Sequence, residues 1–132
     1  ANCPIIDQLV VLGDDRKYIT ALIVPAYDVI ITMFKNKGIV FDESKLVYAT
    51  LNGINTCIEV GDDLVAHPEL VEMIDREVRK ANSELSDFEA IKRYHILPRK
   101  LTEERGEITP TLKVKNRVVR KNYAVEIDNL YK

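Results

Sequence analysis

The sequence predicts an α+β fold in which a small antiparallel or mixed β-sheet, a hairpin plus a third strand, is flanked by helices. Two apolar runs rich in branched residues, 5–12 and 18–24, stand on either side of a short polar turn, as in an antiparallel hairpin. A later stretch, 68–85, repeats apolar residues at helical spacing. A chain of 132 residues can bury a substantial core, so we expect one domain over residues 1–132.

Composition and charge argue against several classes of protein. A net charge of −2, with 46% apolar and 30% charged residues, is ordinary for a globular domain and unlike a dedicated nucleic-acid-binding protein. No apolar run approaches the roughly 20 residues that a transmembrane helix needs, and the N-terminus lacks the pattern of a signal peptide. Cys3 and Cys57 form no disulfide framework, so we expect reduced thiols and a cytoplasmic protein.

The predicted hairpin begins the chain. Residues 5–12 are apolar almost throughout, which is typical of a strand buried on much of both faces. Residues 13–17 are a polar turn of hairpin length, and residues 18–24 return as the second strand, which Pro25 ends. We interpret this hairpin as scaffold.

Helical spacing follows the hairpin. Tyr27, Ile30 or Ile31, and Phe34 recur at helical spacing, and Gly38 follows as a C-terminal cap. The next stretch, residues 39–66, supports no firm assignment. Residues 42–52 are compatible with a helix and residues 56–60 have strand composition, while the dipeptides Asn52-Gly53 and Gly61-Asp62 mark turns.

The second clear helix is predicted over residues 68–85, because Pro68 suits the first helical position. Its predicted buried face consists of Leu70, Ile74, Val78, Ala81 and Leu85. We interpret His67 as a residue that begins this helix, with its ring at the surface, and not as a catalytic group.

A third strand is predicted at residues 94–97, where Pro98 ends it. His95 alternates with apolar neighbours, which favours a structural role over that of a general base. With two histidines in the chain and no ligand-spaced partners, we expect no metal site. After Asn122, the apolar residues Tyr123, Val125, Ile127 and Leu130 indicate a closing helix.

The most informative stretch is 106–117, which reads Gly-Glu-Ile-Thr-Pro-Thr-Leu-Lys-Val-Lys-Asn-Arg. Pro110 lacks an N–H donor and disfavours helix at Thr109, so regular helix is expected only after it. We expect the Thr111 hydroxyl to cap the turn that follows. Lys113 is therefore predicted at an exposed loop-to-helix junction, where its ammonium can be directed at an anion.

Lys113 belongs to a basic segment, residues 99–121, with eight basic and three acidic side chains. For Arg117, Arg120 and Lys121, a solvated helix face is the simpler interpretation. A single-stranded nucleic-acid site would interleave aromatic residues with these bases, and the segment contains none. Lys113 differs because the proline turn holds it off the regular helix.

The stretch 106–117 resembles the C-terminal lysine motif of AMP-forming acyl-CoA ligases, in the form found in the long-chain fatty acid branch. That branch typically reads Gly-Glu-Leu-Thr-Pro-Thr-Leu-Lys-Leu-Lys-Arg-Arg, so Ile108 and Val114 replace leucines and Asn116 replaces a basic residue. Further blocks resemble the same family in the same order, at residues 6–18, 20–25, 67–70 and 88–93.

The resemblance implies the mobile C-terminal domain of an acyl-CoA synthetase. In that family a carboxylate and ATP first give an acyl-adenylate and pyrophosphate, the small domain then rotates, and the thiol of CoA forms the thioester. By the resemblance, Lys113 is the catalytic residue of the first step. It would contact the carboxylate and the ATP oxygens as an electrostatic clamp and not as a base.

The resemblance also implies a larger parent enzyme. The hinge, the adenylating domain, the acyl pocket and the Mg²⁺ ligands are expected before residue 1, so ATP, CoA and Mg²⁺ should serve the parent enzyme, none should bind this domain alone, and residues 1–132 alone should lack ligase activity. Fatty acid substrates partition into lipid, so the parent is compatible with membrane association. The CoA contacts are not identifiable, and residues 86–92 are no more than a candidate segment.

Two alternatives stay open. The chain fits the same domain of an adenylating enzyme with another acyl specificity, because the acyl pocket is expected elsewhere. It also fits a free-standing α+β binding or interaction module, in which Lys113 is merely solvated.

Overall fold

The computed structural model describes residues 4–13, 16–86 and 89–132, and its elements confirm the predicted α+β class. In chain order they are β1 (Ile6–Leu12), β2 (Ile19–Pro25), α1 (Tyr27–Asn36), β3 (Val47–Leu51), β4 (Ile54–Glu59), α2 (Asp62–Val65), α3 (Pro68–Asn82), β5 (Ile91–Ile96), α4 (Asn116–Asn122) and α5 (Ala124–Asn129). A single 3₁₀ turn over Glu43–Lys45 precedes β3.

The main sheet has three strands in the order β1-β2-β5. Strand β1 pairs with β2 antiparallel, and β5 pairs with β2 parallel, so the predicted hairpin plus third strand forms a mixed sheet. The central strand β2 contributes the most deeply buried run, in which four successive residues, Ala21, Leu22, Ile23 and Val24, are at most 1% exposed. The central position of β2 explains why its sequence is a continuous apolar run.

Helices cover both faces of this sheet. On β2, Thr20 donates a hydrogen bond to the Tyr131 hydroxyl at 3.0 Å, which places the end of the chain on one face. Its neighbour Ala21 is paired with Tyr94 of β5, whose hydroxyl donates to Asp75 of α3 at 3.0 Å. Successive strand residues point to opposite faces, so α3 and the C-terminal segment lie on opposite sides of the sheet.

Strand β1 is less buried than its apolar sequence predicted. Leu9 and Val11 are 45% and 52% exposed, whereas Val10 and Leu12 face the core at 3% and 4%. The prediction of burial on both faces was wrong because the face of β1 that carries Leu9 and Val11 is left uncovered. The polar turn before β2 includes residues 14 and 15, which lie outside the described residues.

The segment that gave no firm prediction, 39–66, contains a second, two-stranded sheet formed by β3 and β4. Asn52 and Gly53 join the strands with φ angles of 52° and 79°, the left-handed conformations of a tight hairpin turn. The helical interpretation of residues 42–52 was therefore wrong apart from the 3₁₀ turn, while strand structure near residues 56–60 is confirmed. Gly61 is not a turn residue but the N-cap of α2.

Helix α3 ends three residues before the predicted boundary. Asn82 donates its Nδ2 hydrogen to the Ile91 carbonyl oxygen at 2.9 Å, and the Ile91 N–H donates to Asn82 Oδ1 at 3.0 Å. This paired amide joins the end of α3 to the start of β5, so the strand begins at Ile91 and not at residue 94. Ala81 and Leu85, which the helical period placed on the buried face, are exposed.

Candidate functional site

Lys113 lies on a tight hairpin that projects between β5 and α4. Ile108 and Val114 form the bridge that closes it, and the Thr109 N–H donates to the Lys113 carbonyl oxygen at 2.9 Å. The Leu112 N–H donates to the Thr109 carbonyl oxygen at 2.8 Å, and Leu112 has a φ of 66°. A three-residue loop that ends in a left-handed residue is a common hairpin connection.

The threonines of the motif hold this turn together. The Lys113 N–H donates to Thr109 Oγ1 at 3.0 Å, and the hydroxyls of Thr109 and Thr111 lie 3.0 Å apart. The prediction that Thr111 caps the turn was wrong in the identity of the residue, because the turn at Pro110 folds the backbone of Lys113 back onto Thr109. The hydroxyl of Thr111 instead contacts the Thr109 hydroxyl, which accepts the Lys113 N–H.

The Lys113 side chain is exposed, as predicted, but it is not at a helix junction. Helix α4 begins only at Asn116, with Lys115 as its N-cap, so Lys113 stands on the second arm of the hairpin. Within the described residues, its ammonium makes no ion pair or hydrogen bond. The neighbouring Leu112 is 65% exposed, so the tip presents both an apolar side chain and a cation to solvent.

Two shallow cavities lie elsewhere on the surface of the described residues. One, of about 230 Å³, is beside Tyr131, and the other, of about 250 Å³, is beside Met73; Lys113 lines neither of them.

A buried carboxylate lies at the base of the hairpin. Glu107 is fully buried, and its Oε1 accepts the Thr102 N–H at 3.2 Å while its Oε2 accepts Asn122 Nδ2 at 3.1 Å. Its carbonyl oxygen also accepts the Lys115 N–H at 2.8 Å. Glu107 thus ties both arms of the hairpin to the last residue of α4.

An arginine and a tyrosine extend this cluster. Arg99 donates from Nε to the Tyr123 hydroxyl at 2.8 Å. This hydrogen bond is the main cause that raises the pKa of Arg99, and the negative charge of Glu107 adds to it. Burial raises the pKa of the Tyr123 hydroxyl, again with a contribution from Glu107. Sequence patterns did not identify Glu107 as a site residue, because periodicity does not reveal a buried charge; its position inside the motif was the available signal.

Neither histidine forms a catalytic arrangement in the described residues. His67 begins α3 as predicted, but its ring is half-buried: Nδ1 accepts the Glu69 N–H at 3.0 Å, and the ring lies edge-on to Phe34 at 5.1 Å. The prediction of a ring at the surface was therefore wrong. His95 is half-buried on β5. The described residues contain no group of three His, Cys, Asp or Glu side chains placed to hold a metal ion.

The remaining candidates are peripheral to the hairpin. Residues 86–92, the candidate CoA segment, join α3 to β5, and residues 87 and 88 lie outside the described part of the chain. Cys57 is a buried free thiol whose pKa is raised by burial, and Cys3 is not among the described residues. Over the same described ranges, no helix combines the length and hydropathy that crossing a membrane requires.

Comparison with known families places the chain among the C-terminal domains of AMP-binding enzymes. The family described as "AMP-binding enzyme C-terminal domain" matches residues 54–132, and so includes the lysine hairpin. The long-chain-fatty-acid–CoA ligase FadD15 of Mycobacterium tuberculosis is 35% identical over 128 residues, which are 97% of this chain and 19% of the relative. The putative fatty-acid–CoA ligase fadD11 of the same species is 34% identical over 132 residues, 99% of this chain and 20% of the relative. The chain therefore spans about a fifth of the length of these curated relatives.

Solved structures give the same fold. The adenylation domain of a carboxylate reductase from Mycobacterium chelonae aligns with a TM-score of 0.57 at 18% identity, over 97% of this chain and 16% of that one. The didomain of a carboxylic acid reductase from Segniliparus rugosus, solved in complex with AMP, aligns with a TM-score of 0.55 at 19% identity, over 97% and 14%.

Proposed function

The chain belongs to the family of AMP-binding enzyme C-terminal domains, and on that premise we propose that it is the mobile C-terminal domain of a long-chain fatty acid–CoA ligase. Its partner is the adenylating domain of the same enzyme, which binds ATP and the fatty acid. Lys113 enters that site from this domain for the first half-reaction. The whole-chain similarity to two mycobacterial fatty-acid–CoA ligases supports the reaction class.

The observation that carries the role of Lys113 is the combination of a fixed backbone and an unengaged ammonium. The hairpin is closed by backbone hydrogen bonds on both sides of the turn and by the Thr109 hydroxyl. The side chain makes no ion pair within the described residues, although acidic residues outnumber basic ones in the chain. A cation held this way can supply a charge to a site on another domain without first breaking an ion pair within its own domain.

The first step of the reaction is favoured by a cation near the reacting groups. An oxygen of the fatty acid carboxylate attacks the α-phosphorus of ATP, the bond to the β-phosphate oxygen breaks, and pyrophosphate leaves. Negative charge is redistributed over the α-phosphate oxygens during this exchange. An ammonium near the carboxylate and these oxygens reduces their mutual repulsion, which makes Lys113 an electrostatic clamp and not a base.

The second step does not need this lysine. The CoA thiol attacks the acyl carbon, the carbon–oxygen bond to AMP breaks, and the thioester forms as the thiol proton is lost. We propose that the domain rotates between the two steps and withdraws Lys113. Mg²⁺ in such ligases would accompany ATP and offset the charge of its phosphates, and the described residues of this chain contain no cluster of side chains placed to hold it.

The experiment uses the full-length parent enzyme with Lys113→Ala. Removing one preorganised charge of this kind costs about 100- to 1000-fold in rate. We expect that loss in fatty-acid-dependent pyrophosphate exchange, while thioester formation from supplied acyl-adenylate and CoA changes less than about threefold. Lys113→Arg should fail to restore exchange, because a guanidinium fork has a different reach and geometry.

Lys115→Ala is the matched control, because it removes the same charge from an exposed residue two positions away. It should leave both half-reactions nearly unchanged. Equal loss of both half-reactions in Lys113→Ala, or equal loss in Lys113→Ala and Lys115→Ala, would overturn the role of Lys113.

Two further properties follow from the proposal. Residues 1–132 alone should form no acyl-CoA from fatty acid, ATP and CoA, because the nucleotide and acyl pockets belong to the other domain. The full-length enzyme should act in the cytoplasm and prefer long-chain fatty acids over short and aromatic acids. An enzyme that adenylates only short or aromatic acids would retain the ligase class but refute the long-chain assignment.

A further inference from the structure

We propose that Glu107 is a positioning residue for Lys113, which it serves by fixing the base of the lysine hairpin against α4. This inference rests on the proposed function of Lys113. It adds a residue that touches neither substrate nor nucleotide but sets where the ammonium is delivered.

The burial of Glu107 is the first argument. Among the described residues it is the only charged side chain that is buried, with 0% exposure. A buried carboxylate loses its hydration and is costly unless hydrogen bonds replace the lost water. An apolar side chain would fill the same volume without that cost. The charge therefore requires an explanation other than packing.

The contacts of Glu107 supply the explanation. Its two carboxylate oxygens accept from Thr102 at 3.2 Å and from Asn122 at 3.1 Å. Its own N–H donates to the Thr102 carbonyl oxygen at 3.0 Å, and its carbonyl oxygen accepts from Lys115 at 2.8 Å. Glu107 thereby joins the loop before the hairpin, the second hairpin arm and the end of α4.

The hairpin is internally closed but short, so its orientation relative to the rest of the domain depends on how its base is anchored. Ile108 and Val114 form a single bridge, and the tip beyond them is exposed at Pro110, Thr111 and Leu112. The direction in which the tip projects is then set by its base. Displacement of a catalytic group by about 1 Å can cost about 100-fold in rate. A small change in the orientation of the hairpin base at Glu107 would therefore displace the Lys113 ammonium.

The carboxylate and amide of this pair can be exchanged without changing their sizes. In Asn122→Asp, two carboxylates face each other and the hydrogen bond is lost. In the double variant Glu107→Gln/Asn122→Asp, the amide introduced at position 107 can accept from Thr102 through its oxygen and donate to the carboxylate introduced at position 122. The charge then moves to an exposed position, because Asn122 is exposed, and the connection is restored.

The test measures both half-reactions in the full-length enzyme. We expect Asn122→Asp to slow pyrophosphate exchange by about 10- to 100-fold, with KM values for ATP and fatty acid changed less than about threefold. Thioester formation from supplied acyl-adenylate should remain within about twofold of the parent. The double variant should recover exchange activity to within about threefold, so the two changes are strongly non-additive. Glu104→Gln, at an exposed glutamate of the same loop, is the matched control and should have no effect.

A second background separates this inference from the proposed function. In Lys113→Ala, adding Asn122→Asp should produce no further loss, because Glu107 acts only through Lys113. If Lys113→Ala itself leaves pyrophosphate exchange intact, the proposed function fails. If Lys113→Ala abolishes exchange but Asn122→Asp lowers both half-reactions equally, in step with a lower unfolding temperature, Glu107 merely supports the fold and the positioning role is overturned. Failure of the double variant to recover exchange activity overturns it as well.

Discussion

Two hydrogen bonds join the side-chain amide of Gln8, on β1, to the backbone of Leu101, so that the amide takes the place of a neighbouring strand. Gln8 Nε2 donates to the Leu101 carbonyl oxygen at 3.1 Å, and the Leu101 N–H donates to Gln8 Oε1 at 2.8 Å. Leu101 is 1% exposed, so its backbone groups have little access to water. The two residues are 93 positions apart, and their bond ties the edge of the sheet to the segment that leads into the lysine hairpin.

The perturbation is Gln8→Glu, which keeps the acceptor and removes the donor. A net hydrogen bond contributes about 1 kcal/mol, and leaving the buried Leu101 carbonyl without a donor costs about 1–3 kcal/mol more. A carboxylate facing that carbonyl adds repulsion. We therefore expect the free energy of unfolding at pH 7 to fall by about 2–3 kcal/mol.

The pH dependence separates the lost donor from general damage. Burial and the facing Leu101 carbonyl both disfavour the charged form of the carboxyl introduced at position 8, so we expect its folded pKa to lie above the unfolded value of about 4.3. A group whose pKa is raised in the folded state contributes stability that is fully present below its unfolded pKa and is lost as pH rises through its folded pKa. At about pH 4 the protonated carboxyl can donate to Leu101, so the deficit relative to the parent chain should shrink.

The assay is urea unfolding of residues 1–132, followed by circular dichroism at both pH values, with Gln8→Leu as the control. Gln8→Leu loses both bonds at every pH, so its deficit should be the same at pH 7 and about pH 4. Two results would refute the reasoning: a Gln8→Glu chain within about 0.5 kcal/mol of the parent at pH 7, or a deficit as independent of pH as that of Gln8→Leu.

Three further outcomes follow from particular residues. Leu112→Gly should stabilise the chain by about 0.5–1 kcal/mol in denaturant unfolding. Glycine adopts the positive φ of this position without strain, and the relief of strain outweighs the entropy cost of glycine, while the exposed leucine gives up little burial. A loss of stability would contradict this. Tyr131→Phe should lower the free energy of unfolding by about 1–3 kcal/mol, since it removes the acceptor of the buried Thr20 hydroxyl and the donor to the Tyr18 carbonyl, and an unchanged unfolding midpoint would count against these bonds. Burial and the Asp75 hydrogen bond raise the pKa of Tyr94 to about 12. The contribution of Tyr94 to stability is therefore full below the ordinary pKa near 10 and is lost as pH rises towards 12. Tyr94→Phe should make the alkaline fall in stability shallower, and an identical fall in both chains would be the contrary result.

The sequence by itself determined the elements whose signals are local. The continuous apolar run of β2 and the period of α1 with its glycine cap at Gly38 depend on residues only a few positions apart. Backbone preferences and side-chain periodicity act over such distances, so pattern and structure agree. The exposure of Lys113 was predictable for the same reason, since a turn at Pro110 keeps the following residues out of a packed helix.

Only the tertiary structure decided the boundaries and the buried charge. Helix α3 ends at Asn82 because its amide pairs with Ile91, and β1 is half-exposed because only one of its faces packs on the core. The side chains of Glu107 and Gln8 form hydrogen bonds with backbone groups that only folding brings to them. Such hydrogen bonds satisfy groups that water would otherwise satisfy, and their partners exist only once distant segments have packed.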